Sequence, residues 1–228
     1  MQKLTAIVFI KKHSERIKEK NFRMFNGRPL YSVVLDRLDN HAGIDRVLVD
    51  SDSEEILEYV SKLAKGVAIE RPEYLFGGHI SGNDLLKYDI GFCENEHIFQ
   101  THVTNPLLTD ETITNGIEKY LLSLENHDSL FSVTRIQQRV FDIDGTALNH
   151  IQGTLARTQD LSPVFQENSS FFIFSKSSFI NSGYNRHGLS PQMFEMSEIE
   201  AMDIDYEKDF LLAELIDRNK DKFPEVFI

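Results

Sequence analysis

Two aspartates near the end of the chain, Asp203 and Asp205, are spaced two residues apart. In an extended segment, side chains with this spacing point to the same side. Two neighbouring carboxylates are hard oxygen ligands that can hold Mg²⁺ together with substrate phosphates. The spacing therefore predicts a magnesium site. The alternative, which the spacing alone leaves open, is that Asp205 only caps the helix that follows it and Asp203 is solvated.

The first thirty residues form the basic part of an acidic protein. They contain eight lysines or arginines and two glutamates, whereas the whole chain has a net charge of −12. Local positive charge on an acidic protein suits a small polyanion better than a polymer. Here Lys20 could neutralise phosphate oxygens as a point charge, and Asn21 could hold a base or ribose edge. A solvated basic loop without a ligand is the alternative.

The sequence lacks the motifs of several other classes. It has no glycine-rich phosphate loop of the Walker or dinucleotide type and no nucleophile elbow. Its single cysteine, Cys93, excludes a disulfide framework and a cysteine-rich metal site. The apolar run at residues 6–10 is too short for a signal peptide or a membrane span. We expect one cytoplasmic domain, residues 1–228, that binds neither nucleic acid nor a membrane.

Strand and helix patterns alternate through residue 136. Buried strands are predicted at residues 4–10, 44–49, 67–70, 98–103 and 130–133, and helices at residues 30–38, 54–63, 83–93 and 110–124. This alternation is the signature of an α/β domain with a mostly parallel sheet.

The alternation breaks at residues 137–192. A turn signal at Asp144 and Gly145 predicts a hairpin there, and residues 171–174 form an aromatic-rich strand pattern. We interpret residues 137–192 as an arm inserted into the domain. The chain is predicted to return to the sheet with a strand at residues 201–204 and to end in a helix over residues 206–218.

The predicted strands are followed by polar side chains. In open α/β sheets, ligands bind beyond the carboxyl ends of the strands. The basic segment that begins at Lys11 follows the first strand, His102 lies at the end of the fourth, and the two aspartates lie at the end of the late strand. We therefore expect a basic loop and paired carboxylates to meet at one edge of the sheet.

Six short stretches recur in the order of a known family: Ser14 to Asn21 with Asn26 to Leu30, Val47 to Ile56, Glu70 to Glu73, Thr104 to Leu107, Arg157 to Asn168, and Glu200 to Glu214. Together they resemble the acylneuraminate cytidylyltransferases, which make CMP-sialic acid and related CMP-activated acids. The resemblance covers nearly the whole chain. It implies a Rossmann-like, three-layer α/β fold and a homodimer joined through an arm like residues 137–192.

The resemblance also implies a reaction, in which CMP passes from CTP to a small acidic acceptor and pyrophosphate leaves, with Mg²⁺ as cofactor. The acceptor would be a sialic-acid-like or other nonulosonic or ulosonic acid. By position, the catalytic residues would be Lys20, Asp203 and Asp205, and the two aspartates would hold the metal. The nucleotide would contact Lys11, Ser14, Arg16, Asn21, Arg71 and Ser81. The acceptor would contact His102, Arg157, Gln159, Phe171 and Phe172.

The first loop departs from the family pattern. Two glycines and a basic residue are usual there, and this chain has Lys12, His13 and Glu15 instead. His102 stands where the family has a glutamine. These departures keep two alternatives open: a nucleotidyltransferase that uses another nucleotide or a phosphorylated or non-sugar acceptor, and a catalytically weakened homologue that binds nucleotide without turnover.

Overall fold

A seven-stranded sheet forms the centre of the computed structural model, which describes residues 2–222. The strands are β1 (Leu4–Ile10), β2 (Met24–Phe25), β3 (Arg28–Pro29), β4 (Ile44–Ser51), β5 (Gly66–Glu70), β6 (His97–Thr101), β7 (Ser129–Ile136), β8 (Val164–Ser175) and β9 (Pro191–Glu195). Strands β2 and β3 pair with each other as a short hairpin. The others form the sheet in the order β5-β4-β1-β6-β8-β7-β9.

The sheet is mostly parallel, as predicted. Strands β5, β4, β1 and β6 are parallel neighbours, and β7 is parallel to β9. Strand β8 runs antiparallel to β6 and β7. The carboxyl ends of β1, β4, β5 and β6 therefore meet at one edge, where the loops that follow them can surround a ligand.

Helices cover both faces of the sheet. They are α1 (Leu30–Asn40), α2 (Glu54–Ser61), α3 (Gly82–Asp89), α4 (Asp110–Leu122), α5 (Lys176–Asn181) and α6 (Glu207–Asn219). Along β1, Ala6 and Val8 pack with α1, α2 and α4, whereas Ile7 packs with α3 and α5. This alternation gives three layers, because successive side chains of a strand face opposite sides. Within residues 2–222, every helix is too short or too polar to cross a lipid bilayer.

The predicted arm is only partly outside the sheet. Strand β8 lies within residues 137–192 and joins the sheet, and β9 begins at the end of this range and joins it as well. The predicted strand at residues 201–204 is not formed. Strand β8 joins the sheet because residues 171–174 are all fully buried aromatic or aliphatic side chains, which suit a central strand covered on both faces. Residues 137–163 stay outside the sheet and contain the predicted hairpin, with a bridge between Phe141 and Ala147.

The segment at residues 200–205 crosses from the sheet to α6 without pairing as a strand. The buried Glu200 accepts hydrogen bonds from the backbone N–H of Thr109 (2.9 Å) and the hydroxyl of Thr112 (2.7 Å), at the start of α4. Four residues later, Ile204 donates its N–H to the carbonyl of Thr104 at 2.9 Å. These anchors fix the segment that carries the two aspartates.

A separate apolar cluster anchors the loop after β1. Ile17 from this loop and Ile204 are buried together with Phe210 and Ala213 of α6. Phe25 of the β2–β3 hairpin packs edge-on against Phe210, with 5.8 Å between the ring centres. The first loop and the aspartate segment are therefore held against the same helix, although they lie at opposite ends of the sequence.

Candidate active site

A cleft of about 540 Å³ opens at the carboxyl ends of β1 and β6. It is bordered by the loop that follows β1, by residues 78–85, by residues 102–105 and by the aspartate segment. Of the residues chosen from the sequence, the cleft is lined by Lys11, Ser14, Arg16, Lys20, Asn21, His102, Asp203 and Asp205. The sheet therefore brings together most of the side chains that the sequence predicted to meet.

Direct contacts join the basic loop to the aspartate segment. Arg16 Nη1 lies 2.6 Å from Asp205 Oδ2, and Lys20 Nζ lies 3.8 Å from Asp205 Oδ1. Lys20 also donates a hydrogen bond to the carbonyl of Ile204. The predicted meeting of the two regions at one cleft is confirmed.

Lys20 is held largely out of solvent. Its side chain is only 12% exposed. Burial lowers the pKa of Lys20, and the charges of Asp203 and Asp205 oppose that shift. A partly desolvated ammonium interacts with an anion in the same cleft more strongly than an exposed one would, because less water screens the charge.

Asp203 and Asp205 lie in different electrostatic environments. Desolvation by the surrounding protein, together with the nearby Asp205 charge, raises the pKa of Asp203, and Thr104 opposes the shift through a hydrogen bond. Asp205 is paired with Arg16 instead. The alternative that Asp205 caps the last helix does not hold, because Asp209 is the carboxylate that accepts from the N–H groups of Asp205 and Tyr206.

The two aspartates fit a magnesium ion that is completed by a substrate. Within the described residues, no group of three or more histidine, cysteine, aspartate or glutamate side chains converges on a metal position. Mg²⁺ is commonly bound by one or two carboxylates plus substrate phosphates rather than by an all-protein cage. A pair of carboxylates at the wall of an open cleft satisfies this donor requirement.

Hydrogen bonds fix the loop after β1, which lacks the two glycines usual in the family. The backbone N–H of Lys12 donates to Asp52 Oδ1 at 2.6 Å, which ties the loop to the end of β4. The buried Asn21 donates its amide N–H to the carbonyl of Lys11 at 2.8 Å. Its Oδ1 has no hydrogen-bond partner among the described residues, although it is buried. Asn21 therefore shapes the loop at the wall of the cleft.

A bulge in β8 contributes residues that the sequence did not single out as a site. Asn168 and Ser169 line the cleft, and Ser169 has a positive φ of 58°. Ser132 of β7 donates to Asn168 Oδ1 at 2.6 Å, and the pairing of β7 with β8 shifts register here. The only signal in the sequence was Asn168 itself, at the end of a family stretch. The bulge depends on cross-strand contacts that sequence patterns do not reveal.

Arg71 lies outside the cleft, contrary to the expectation. Its Nε donates to Asp50 Oδ1 at 2.6 Å and its Nη2 to the Asp50 carbonyl at 3.1 Å, and both side chains are almost fully buried. Asp89 of α3 is also fully buried nearby. Burial, together with the Asp50 charge, raises the pKa of Asp89 to about 8. This arginine therefore balances buried carboxylates rather than facing the cleft.

The remaining predicted residues are also placed differently. Ser81 caps α3, and its hydroxyl donates to Asp84 at 2.6 Å, although its neighbours Ile80 and Gly82 line the cleft. Phe171 and Phe172 are fully buried in the sheet core, which corrects the expectation that they line the acceptor side. Arg157 pairs with Asp160 on the exposed segment outside the sheet, and Gln159 lies beside it.

A charged cleft at the carboxyl ends of parallel strands is typical of α/β proteins that bind nucleotides. The family model described as cytidylyltransferase matches residues 5–221, and the chain belongs to this family. Among its relatives, N-acylneuraminate cytidylyltransferase A of Danio rerio is 26% identical over 218 residues, which cover 92% of this chain and 50% of that protein. The chain thus spans half the length of that relative.

Two further comparisons extend this result. Pseudaminic acid cytidylyltransferase of Campylobacter jejuni is 24% identical over 182 residues, covering 75% of this chain and 78% of that protein. The structure of CMP:2-keto-3-deoxy-manno-octonic acid synthetase complexed with CTP matches with a TM-score of 0.69 at 12% identity, covering 96% of this chain and 100% of that one. At this identity the likeness shows a shared fold, which agrees with the Rossmann-like prediction.

The buried carboxyl group of Asp89 predicts a pH-dependent stability. A carboxyl whose pKa is about 8 in the folded chain and near 3.8 otherwise binds more protons when folded. The free energy of unfolding therefore falls as the pH rises between those values. Asp89→Asn should remove this loss. The melting temperature of the variant, relative to that of the wild type, should therefore rise from pH 5 to pH 8, by about 2–4 °C for each kcal/mol of unfolding free energy that the wild type loses.

Thermal unfolding followed by circular dichroism at several pH values tests this prediction. Asp144→Asn, on the exposed hairpin, serves as the matched control and should follow the wild type. Parallel pH profiles for Asp89→Asn and the wild type would contradict the account of the buried cluster.

Proposed function

We propose that this protein transfers CMP from CTP to a small sugar acid of the nonulosonic or ulosonic class and releases pyrophosphate. The observation that carries the proposal is that Lys20, Arg16 and the two aspartates, Asp203 and Asp205, line the same cleft. Membership of the cytidylyltransferase family and the names of the relatives support the choice of CTP and of an acidic acceptor.

The basic loop would neutralise the triphosphate. In the reaction, an acceptor hydroxyl releases its proton to water and its oxygen forms a bond to the α-phosphorus. The bond from this phosphorus to the bridging oxygen breaks, and pyrophosphate leaves with that oxygen. Lys11, Lys20 and Arg16 would offset the negative charge that builds on the leaving group. The ion pair of Arg16 with Asp205 is partly exposed, with side-chain exposures of 52% and 32%. Exposed pairs contribute little free energy, so Arg16 can exchange its carboxylate partner for a phosphate.

Asp203 and Asp205 are the residues that would hold Mg²⁺. When bound, the ion would polarise a phosphoryl oxygen and help to orient the triphosphate. Release of Arg16 to a phosphate would free Asp205 Oδ2, which this arginine contacts. Both carboxylates would then face the bound nucleotide.

The acceptor would lie on the side of the cleft bordered by His102, Asn168 and Ser169. Arg157 and Gln159 keep the acceptor role that the resemblance implies. Because their segment lies outside the cleft, they would reach an acceptor only after a movement of the segment or from a second copy of the chain.

The exposed segment at residues 137–163 supports a homodimer. Ile143 and Leu155 are 101% and 92% exposed, and Ile151 and Leu148 are also largely exposed. Apolar side chains grouped in this way on a surface mark a contact with another protein surface. The proposed partner is a second copy, which agrees with the homodimer implied by the resemblance. The unpaired, buried Cys93 is compatible with the cytoplasm as the site of the reaction.

Sedimentation velocity tests the homodimer. The wild type should sediment as a dimer at micromolar concentrations, whereas Ile143→Asp and Leu155→Asp should sediment as monomers, because a charge would be buried in the contact. Leu122→Asp is a suitable control, because Leu122 is 86% exposed on α4 and lies outside the segment. A monomeric wild type would contradict the dimer.

Release of pyrophosphate tests the activity. The protein is incubated with Mg²⁺, one of four nucleoside triphosphates and a panel of sialic-acid-like, other nonulosonic and ulosonic acids. We expect release that requires both CTP and one of these acids. A preference for UTP or GTP would establish a different nucleotidyltransferase. Saturable CTP binding with no release for any acid would establish a weakened homologue.

Removal of either aspartate should nearly abolish turnover. Asp203→Ala and Asp205→Ala are each expected to lower kcat by about 10²–10³-fold, as found for the loss of one group that stabilises charge in a transition state. The fold should persist, because both side chains lie at the surface of the cleft. Steady-state kinetics with circular dichroism measures both effects, and Asp144→Ala is the control. Wild-type turnover in either cleft variant would contradict the assignment of the metal.

A further inference from the structure

Arg186, Gln100 and His102 form a row of hydrogen-bonded side chains that ends in the cleft. The guanidinium of Arg186 lies over the ring of the buried Phe172, with 3.7 Å from Cζ to the ring centre. Its Nη1 donates to Gln100 Oε1 at 2.9 Å. Arginine has only donors, so the atom of Gln100 that it contacts must be the oxygen. The orientation of the Gln100 amide is therefore determined chemically.

This orientation directs the amide N–H groups of Gln100 at two acceptors. Gln100 Nε2 lies 3.2 Å from the carbonyl of Thr101 and 3.2 Å from Nε2 of His102. An amide nitrogen only donates, so His102 Nε2 must accept and carries no proton. The imidazole proton must then reside on Nδ1, for which the described residues provide no hydrogen-bond partner.

The surroundings also favour an uncharged imidazole. His102 is half-buried at the wall of the cleft. Burial, reinforced by the positive charges of Arg186 and Lys20, lowers the pKa of His102 to about 4. The acid whose charge acts on Arg186 is Glu167, and this carboxylate contacts His187 Nε2 at 2.8 Å. The hydrogen bonds and the charges thus agree on a neutral side chain.

We propose that Arg186 and Gln100 are positioning residues that hold His102 as a neutral imidazole with its proton on Nδ1. His102 then offers the acceptor a hydrogen-bond donor for a hydroxyl, carbonyl or carboxylate oxygen. It is not the base that deprotonates the acceptor, because its Nε2 lone pair is occupied by Gln100 and its Nδ1 is already protonated. The part that concerns the acceptor rests on the proposed function, whereas the tautomer does not.

Two-bond proton–nitrogen correlation spectra of imidazoles in nitrogen-15-labelled protein test the tautomer without any substrate. The signal of His102, one of eight histidines, is assigned by its loss in His102→Gln. We expect the neutral Nδ1–H form at pH 7. A neutral Nε2–H form or an imidazolium at that pH would overturn the proposal.

Gln100→Glu is the decisive variant, because it preserves shape and reverses the hydrogen bond. A carboxylate can still accept from Arg186, but it must accept from His102 as well, so the proton should move to Nε2 or the ring should become charged. Arg186→Met should give a mixture of tautomers. Arg46→Met serves as control, because Arg46 is an exposed residue paired with Glu94, and it should keep the wild-type spectrum. Retention of the Nδ1–H form in Gln100→Glu would overturn the proposal.

Kinetics separate this inference from the activity itself. Where Gln100→Glu moves the proton to Nε2, the KM for the acid acceptor should rise by about tenfold, the loss expected for one hydrogen bond, and the KM for CTP should stay unchanged. An unchanged acceptor KM together with a reversed tautomer would refute the donor role. Absence of pyrophosphate release from a wild type with the expected tautomer would contradict the proposed function and leave the positioning of His102 intact.

Discussion

The candidate site depends on one contact between distant parts of the chain, the packing of the loop after β1 against the segment at residues 204–205. Lys20 and the carbonyl of Ile204, which it contacts, are separated by 184 positions in the sequence. Ile17, Ile204 and Phe210 are buried in one cluster and hold the two segments together. Because burial of apolar side chains stabilises this contact, the charged groups beside it can remain available to a ligand.

The charged groups of the cleft are arranged so that they can exchange their protein partners for a ligand, rather than for maximal stability of the fold. Arg16 and Lys20 are balanced by Asp205 in this structure. A triphosphate with a divalent cation carries both kinds of charge, so it can satisfy the cations and the carboxylates at the same time. Because Lys20 is largely buried, its charge interacts more strongly with phosphate. The exposed Arg16 can exchange its partner Asp205 for a phosphate at little cost.

Much of the site could be predicted from the sequence, because the carboxyl ends of parallel strands bring distant loops together. The positions of Lys20, Asn21 and His102 followed from this rule, whereas the two aspartates reach the same cleft on a segment that forms no strand. The errors have a common physical cause. The pairing of Arg71 with Asp50, and the burial of Phe171 and Phe172 in β8, depend on which strands are neighbours. Local sequence patterns do not predict that order, in which β8 lies between β6 and β7. Gln100 and Arg186 were missed for the same reason.

The central claim is that the basic loop and the aspartates act on the same triphosphate. A double-mutant cycle of Lys20→Met and Asp203→Asn, measured as kcat/KM for CTP at saturating acceptor and Mg²⁺, tests it most directly. Groups that act on one ligand should show a coupling of about 0.5–3 kcal/mol, so the double variant should lose measurably less than the two single losses combined. Strict additivity, or a wild-type kcat/KM in either single variant, would contradict the account.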